Sequence, residues 1–185
     1  MRIFGENRVQ EFATKAEAVR ELREAQWHMI GHLQTNKAAK AVELFSAVDS
    51  VDSLKLAEKL NVAAQKIGKK LAVLIELNLG GEEAKSGIAP DKPELEQILQ
   101  SAPQLEHMAI DGLMTIPPFT EDPQQARPYF RKLRELRDKL ALRKLPGVSM
   151  DTLSMGMSHD FEVAIEEGST YVRVGTAIFG ERTTP

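Results

Sequence analysis

Apolar runs of strand length recur seven times along this chain, and a segment with helical spacing follows each of the first six. No other feature limits the fold as much. Strict alternation of strand and helix requires parallel strands joined by right-handed crossovers. The strands are predicted over residues 2–6, 27–31, 44–51, 70–79, 109–116, 148–155 and 170–179. Helices are expected over 9–23, 34–44, 93–100 and 160–167. A further helix begins after Ser53, a plausible N-cap, and carries Ala57, Leu60, Ala64 and Ile67 on one face up to Gly68. The fifth of the six starts near Pro123, carries Phe130, Leu133, Leu136 and Leu140, and ends at Pro146-Gly147.

Residues 70–79 say most about layering. Val73, Ile75 and Leu77 fall on one side, and Ala72, Leu74, Glu76 and Asn78 on the other. A strand covered by helices outside, with a polar site at its carboxyl end, has this pattern. Two architectures meet the alternation: an open doubly wound sheet and a (β/α) barrel. The sequence has neither G-x-G-x-x-G nor G-x-x-x-x-G-K-[ST], which weakens the nucleotide-binding open sheets. The expectation is one α/β domain over residues 1–185 of the (β/α)8 TIM-barrel type, with seven strands and six helices recognisable. It is one strand-helix unit short of a full barrel.

Composition narrows the function. A net charge of −3 points to neither a nucleic-acid nor a membrane surface. The absence of cysteine excludes disulfides and thiol catalysis. The longest apolar run, residues 71–75, is too short to span a bilayer, and the first residues show no signal-peptide core, so a cytoplasmic location is expected.

Chemistry is concentrated near the carboxyl end. Residues 153–158 (Leu-Ser-Met-Gly-Met-Ser) and 171–180 (Tyr-Val-Arg-Val-Gly-Thr-Ala-Ile-Phe-Gly) each end in small or hydroxyl-bearing residues, and the second holds Arg173. Free backbone N–H groups, hydroxyls and a guanidinium together make a phosphate site. Ser158 alone reads as a helix N-cap before a phosphate ligand. Asp160 and Glu162 would repel an anion there and are expected to point outward. Arg173 needs an anion or a structural partner, Glu76 or Glu6.

The other candidates weigh less. His28 and His32 lack the context of a zinc helix and read as hydrogen-bonded residues; His107 and His159 read as surface residues, and no metal site is expected. Lys37 and Lys85 fall in loops after strands, where barrel sites are built. Glu6 and Glu76 read as a structural pair before an acid/base pair. The basic run 127–144 is interleaved with Glu135 and Asp138 and reads as a solvated helix face.

Several blocks, in order, resemble one family: Phe4-Gly5-Glu6-Asn7 with Val9-Gln10-Glu11, Trp27-His28 with Ile30-Gly31-His32-Leu33-Gln34 and Asn36-Lys37, Ser50-Val51-Asp52-Ser53, Gly81-Glu82-Glu83 with Lys85-Ser86-Gly87, Gly112-Leu113-Met114-Thr115-Ile116-Pro117, and the two carboxyl-terminal blocks with Asp160-Phe161-Glu162 between them. The chain is similar from end to end to the pyridoxal phosphate homeostasis proteins, barrels like that of alanine racemase that bind pyridoxal 5′-phosphate (PLP) without known turnover. The resemblance implies cofactor contacts at Asn7, Ser154, Gly156, Met157, Ser158, Arg173, Gly175 and Thr176, and PLP-dependent apoenzymes as recipients. It also marks a departure. In the family the Schiff-base lysine lies on a first strand that would precede Phe4, and neither is in this sequence. Weak, noncovalent binding and oligomerisation through an open barrel seam are the expected consequences. An alanine racemase-like enzyme and a ligand-free structural remnant are the alternative readings.

Overall fold

The computed structural model describes residues 2–82 and 85–180. Its seven strands are β1 (Ile3–Glu6), β2 (Gln26–Met29), β3 (Ala47–Val51), β4 (Leu71–Leu77), β5 (Met108–Thr115), β6 (Val148–Met157) and β7 (Tyr171–Arg173). Between them run α1 (Val9–Lys15), α2 (Ala38–Leu44), α3 (Leu54–Lys66), α4 (Pro93–Ser101), α5 (Arg127–Ala141) and α6 (Phe161–Glu166), and α7 (Thr176–Phe179) follows β7. The strands pair in sequence order, β1 to β7, and all six pairings are parallel. The sheet curls far enough to bring Tyr171 of β7 to 6.2 Å from His28 of β2, between ring centroids. The strand order leaves β1 and β7 as its two edges.

The apolar core lies outside this curl, under the helices. Val73, Ile75 and Leu77 pack there with Leu56, Ala57, Leu60 and Ala64 of α3, all buried. An aromatic group of Phe4, Trp27, Phe12 and Phe45, with neighbouring ring centroids 4.7–5.0 Å apart, joins β1 and β2 to α1. The inner face is polar toward the carboxyl ends of the strands and carries Glu76, Ser154 and Arg173.

Local signals explain most boundaries. The Ser53 hydroxyl accepts the Leu56 N–H at 3.3 Å and starts α3; Gly68, at φ 65°, ends it. Lys69 Nζ then donates to the carbonyls of Val42, at 2.9 Å, and Phe45, closing the end of α2. Burial holds the Lys69 amine below its ordinary pKa. Glu167, after α6, receives Arg127, Arg131 and Arg134 of the α5 region at 2.9–3.1 Å, so the predicted solvated face of that helix is in part an ion-pair network.

Four expectations need correction. The helix predicted over 9–23 stops at Lys15, because Val9 and Phe12 find apolar partners while the charged residues that follow have none. Leu44 belongs to α2, so the third strand begins at Ala47. The strand predicted to end at residue 155 continues to Met157. The strand predicted over 170–179 ends at Arg173, and residues 176–179 turn into α7, which raises the helix count to seven among the described residues. Residues 83 and 84, the first of them part of the Gly81-Glu82-Glu83 block, lie outside the described residues.

Candidate functional site

The carboxyl ends of β5, β6 and β7 converge on Arg173. Its guanidinium donates to the Ser154 hydroxyl at 2.7 Å and to the Thr115 carbonyl at 2.8 Å. Ser154 is completely buried on the inner face of β6. Burial pulls the Arg173 pKa below its ordinary value, while the fields of Asp49, Glu76 and Asp160 oppose that shift. Neither expected structural partner holds this arginine. Glu6 pairs with Lys15 at 2.6 Å. Glu76 accepts the Ser86 hydroxyl on Oε1 at 2.9 Å, and its Oε2 is buried without a hydrogen-bond partner among the described residues. Among the described residues Arg173 has no carboxylate within ion-pair distance.

A second cluster sits one turn further along. Gly156, at φ 91°, lets β6 run on beside α6, where a Cβ would stand 2.5 Å from that of Ala164. The next residues form a tight reciprocal turn. Asp160 N–H donates to the Met157 carbonyl at 3.1 Å, and Met157 N–H donates to Asp160 Oδ1 at 2.6 Å. The turn directs the Ser158 hydroxyl oxygen toward the start of α7, where it accepts the N–H groups of Gly175 at 3.1 Å and Ala177 at 3.4 Å. Ser158 thus faces α7 instead of capping α6. Asp160 departs from its expected outward orientation: it stands at the N-cap position of α6 but turns its carboxylate back on Met157.

Of the predicted site residues, the structure joins Ser154 to Arg173 and Ser158 to Gly175, while Met157 is held by Asp160. Thr176 opens α7 and is exposed. Asn7 is exposed just past β1, and no hydrogen bond links it to either cluster. The sequence reading missed the Thr115 carbonyl and the Ala177 amide. Backbone groups carry no residue-type signal, although the Gly-Thr-Ala run after an arginine is compatible with a helix start as well as with a strand.

The amino-terminal half of the lumen differs. A cavity of about 280 Å³ there is lined by His28, Asp49, Asp111, Thr152 and Tyr171 among others. His28 Nδ1 lies 3.1 Å from Asp49 Oδ1, and His32 pairs with Asp52 at 3.2 Å, so both histidines are hydrogen-bonded as expected. Burial, then Asp151 and Asp49, hold the Asp111 carboxyl above its ordinary pKa. A lumen floor with this many carboxylates disfavours an anion, whereas the mouth offers amides and a guanidinium. Lys85 is engaged by Glu82 at 2.6 Å and reaches the Pro117 carbonyl at 3.4 Å; Lys37 lies half-buried in the short turn Thr35–Lys37.

The profile of the family described as "Alanine racemase, N-terminal domain" matches residues 1–183. A pyridoxal phosphate homeostasis protein of Aquifex aeolicus is 49% identical over 98% of this chain and 78% of its own length. The chain belongs to this family. Pyridoxal phosphate homeostasis proteins of mouse and human are 44% and 42% identical over 98% of the chain, which spans 69% and 68% of their lengths. PipY of Synechococcus elongatus, solved with PLP bound, superposes with a TM-score of 0.88 at 38% identity, over 97% of this chain and 82% of PipY. Alanine racemase of Clostridium difficile shares the fold at 18% identity, with a TM-score of 0.73 over 46% of its length. The seven-stranded parallel curl described above is therefore the (β/α)-barrel of this family, the second of the two architectures that the alternation of strands and helices allowed.

Proposed function

We propose that this chain binds PLP noncovalently at the mouth formed by β6 and β7 and takes part in PLP homeostasis as a holder of the cofactor, without turnover. The observation that carries this reading is the convergence of the Gly175 and Ala177 amides on one oxygen, the Ser158 hydroxyl. Backbone amides that already donate to a neutral oxygen are placed to donate to a phosphate oxygen with little rearrangement. Arg173 adds a positive charge that no carboxylate contacts among the described residues. PipY, 38% identical, carries PLP.

The residues present fit the phosphate ester. Ser158, Gly175, Thr176 and Ala177 bind it, Met157 and Gly156 shape the turn, and Ser154 fixes Arg173. Asn7 completes the rim from the β1 side. When bound, PLP supplies an electrophilic aldehyde. In this proposal the protein holds the cofactor and releases it to apoenzymes, and the hold is through hydrogen bonds: neither Lys37 nor Lys85 is hydrogen-bonded to the cluster. Oligomerisation through the β1 and β7 edges belongs to the same reading, and sedimentation at micromolar concentration reads it; a compact monomer counts against that part.

The test of binding is a thermal melt with and without PLP, followed by borohydride reduction and peptide mapping. The expected result is a rise in Tm that grows with ligand concentration, without stoichiometric labelling of any one lysine. No rise at millimolar PLP would refute binding, and complete labelling of a single lysine would refute the noncovalent hold.

A further inference from the structure

The turn that aims Ser158 is closed by a carboxylate. Asp160 Oδ1 takes the Met157 N–H at 2.6 Å, and Met157 is the residue next to Ser158, whose hydroxyl is held by the α7 amides. An aspartate at a helix N-cap ordinarily spends its side chain on the first free amides of its own helix. This one makes no such bond. A negative charge is fixed instead at the edge of a cluster of donors suited to an anion.

We infer that Asp160 sets the affinity and ligand preference of this site: its Oδ1 holds the turn that positions Ser158, while its charge opposes the phosphate group of the ligand. The inference rests on the PLP reading of the mouth and adds to it. The two effects have opposite signs and are separable. Geometry needs only an oxygen acceptor facing Met157, and an amide oxygen provides one. Repulsion needs the charge, which also offsets part of the Arg173 field, since Asp160 is one of the three carboxylates whose fields act on that guanidinium against the effect of burial. A built-in opposing charge suits a protein that has to release its ligand as well as hold it.

The variants are Asp160→Asn, which keeps the acceptor and removes the charge, and Asp160→Ala, which removes both. The probes are pyridoxine 5′-phosphate, which has no aldehyde to react with lysines, and pyridoxine, which has no phosphate. Calorimetric titration of Asp160→Asn is expected to show pyridoxine 5′-phosphate bound roughly tenfold more tightly than by the unsubstituted chain, the size of one partly screened charge at close range. Pyridoxine affinity stays unchanged, and Asp160→Ala binds the phosphate ester more weakly than Asp160→Asn does. An unchanged melting temperature for Asp160→Asn shows that the turn is intact. If the unsubstituted chain binds the ester and Asp160→Asn binds it no more tightly, or if pyridoxine gains equally, the inference is overturned while the PLP reading stands. If the unsubstituted chain binds no ester at all, both are overturned.

Discussion

Arg173 and Ser154 are joined by a 2.7 Å hydrogen bond between adjacent strands, and the same guanidinium reaches the Thr115 carbonyl at the end of β5. A cation is therefore fixed over the inner face of three strands without a carboxylate in contact among the described residues. Replacing such a group by an apolar one of similar length removes the desolvation of the charge, which offsets the loss of the Ser154 and Thr115 hydrogen bonds. Arg173→Met is expected to leave the melting temperature of the ligand-free protein nearly unchanged. Its affinity for pyridoxine 5′-phosphate falls at least about tenfold, or ~1.4 kcal/mol. Paired melts and titrations check both halves.

Glu76 gives a pH-dependent prediction. Burial raises its carboxyl pKa, with the Ser86 hydrogen bond opposing, and Oε2 has no partner among the described residues. A carboxyl whose folded pKa exceeds its unfolded one binds more protons in the folded state, so it costs stability as pH rises from the unfolded value through the folded one. Glu76→Gln is expected to be more stable than the unsubstituted chain at pH 7, by about 1–3 kcal/mol. The gain shrinks as pH falls through the raised folded pKa and is gone below the ordinary carboxylate range. Urea unfolding across pH 3.5 to 8 measures it, and a gain that persists at the acid end contradicts the assignment.

Glu167 carries the opposite sign. The Arg131 hydrogen bond, then that of Arg127, holds its carboxyl below the ordinary range against the opposing effect of burial. Its contribution is present above the unfolded pKa and is lost as pH falls through the folded one. Glu167→Gln is expected to melt at a lower temperature at pH 7, and its deficit closes toward acid pH. Calorimetric melts of the two proteins across the same range provide the check.

Gly156 combines a φ of 91° with a neighbour that leaves no room for a side chain. Gly156→Ala is expected to destabilise by about 2 kcal/mol or more. It also displaces α6, so ester binding falls in the fraction that stays folded. Denaturant unfolding and titration measure the two losses separately.

The fold was readable because the alternation of strands and helices is written in apolar spacing, and residues 70–79 already show which face is covered. The site was only partly readable. Arg173 stood out as a charge in an apolar run, and Ser154, Ser158 and Gly175 by residue type. The helical turn after Arg173 was hidden, since Ala177, Ile178 and Phe179 are as apolar as a strand and four residues carry no period. Asp160 was expected to point outward because its charge would repel an anion at the site. That it turns back on Met157 is a tertiary outcome, set by where β6 ends beside α6.

Amide chemical-shift mapping during titration with pyridoxine 5′-phosphate tests the location of the site most directly. The largest shifts are predicted at Met157, Ser158, Gly175, Thr176 and Ala177, with those residues saturating together. Shifts centred instead on the lower lumen, around His28, Asp49 and Asp111, or no shifts at saturating ester, would contradict an anion site where β6 and β7 end.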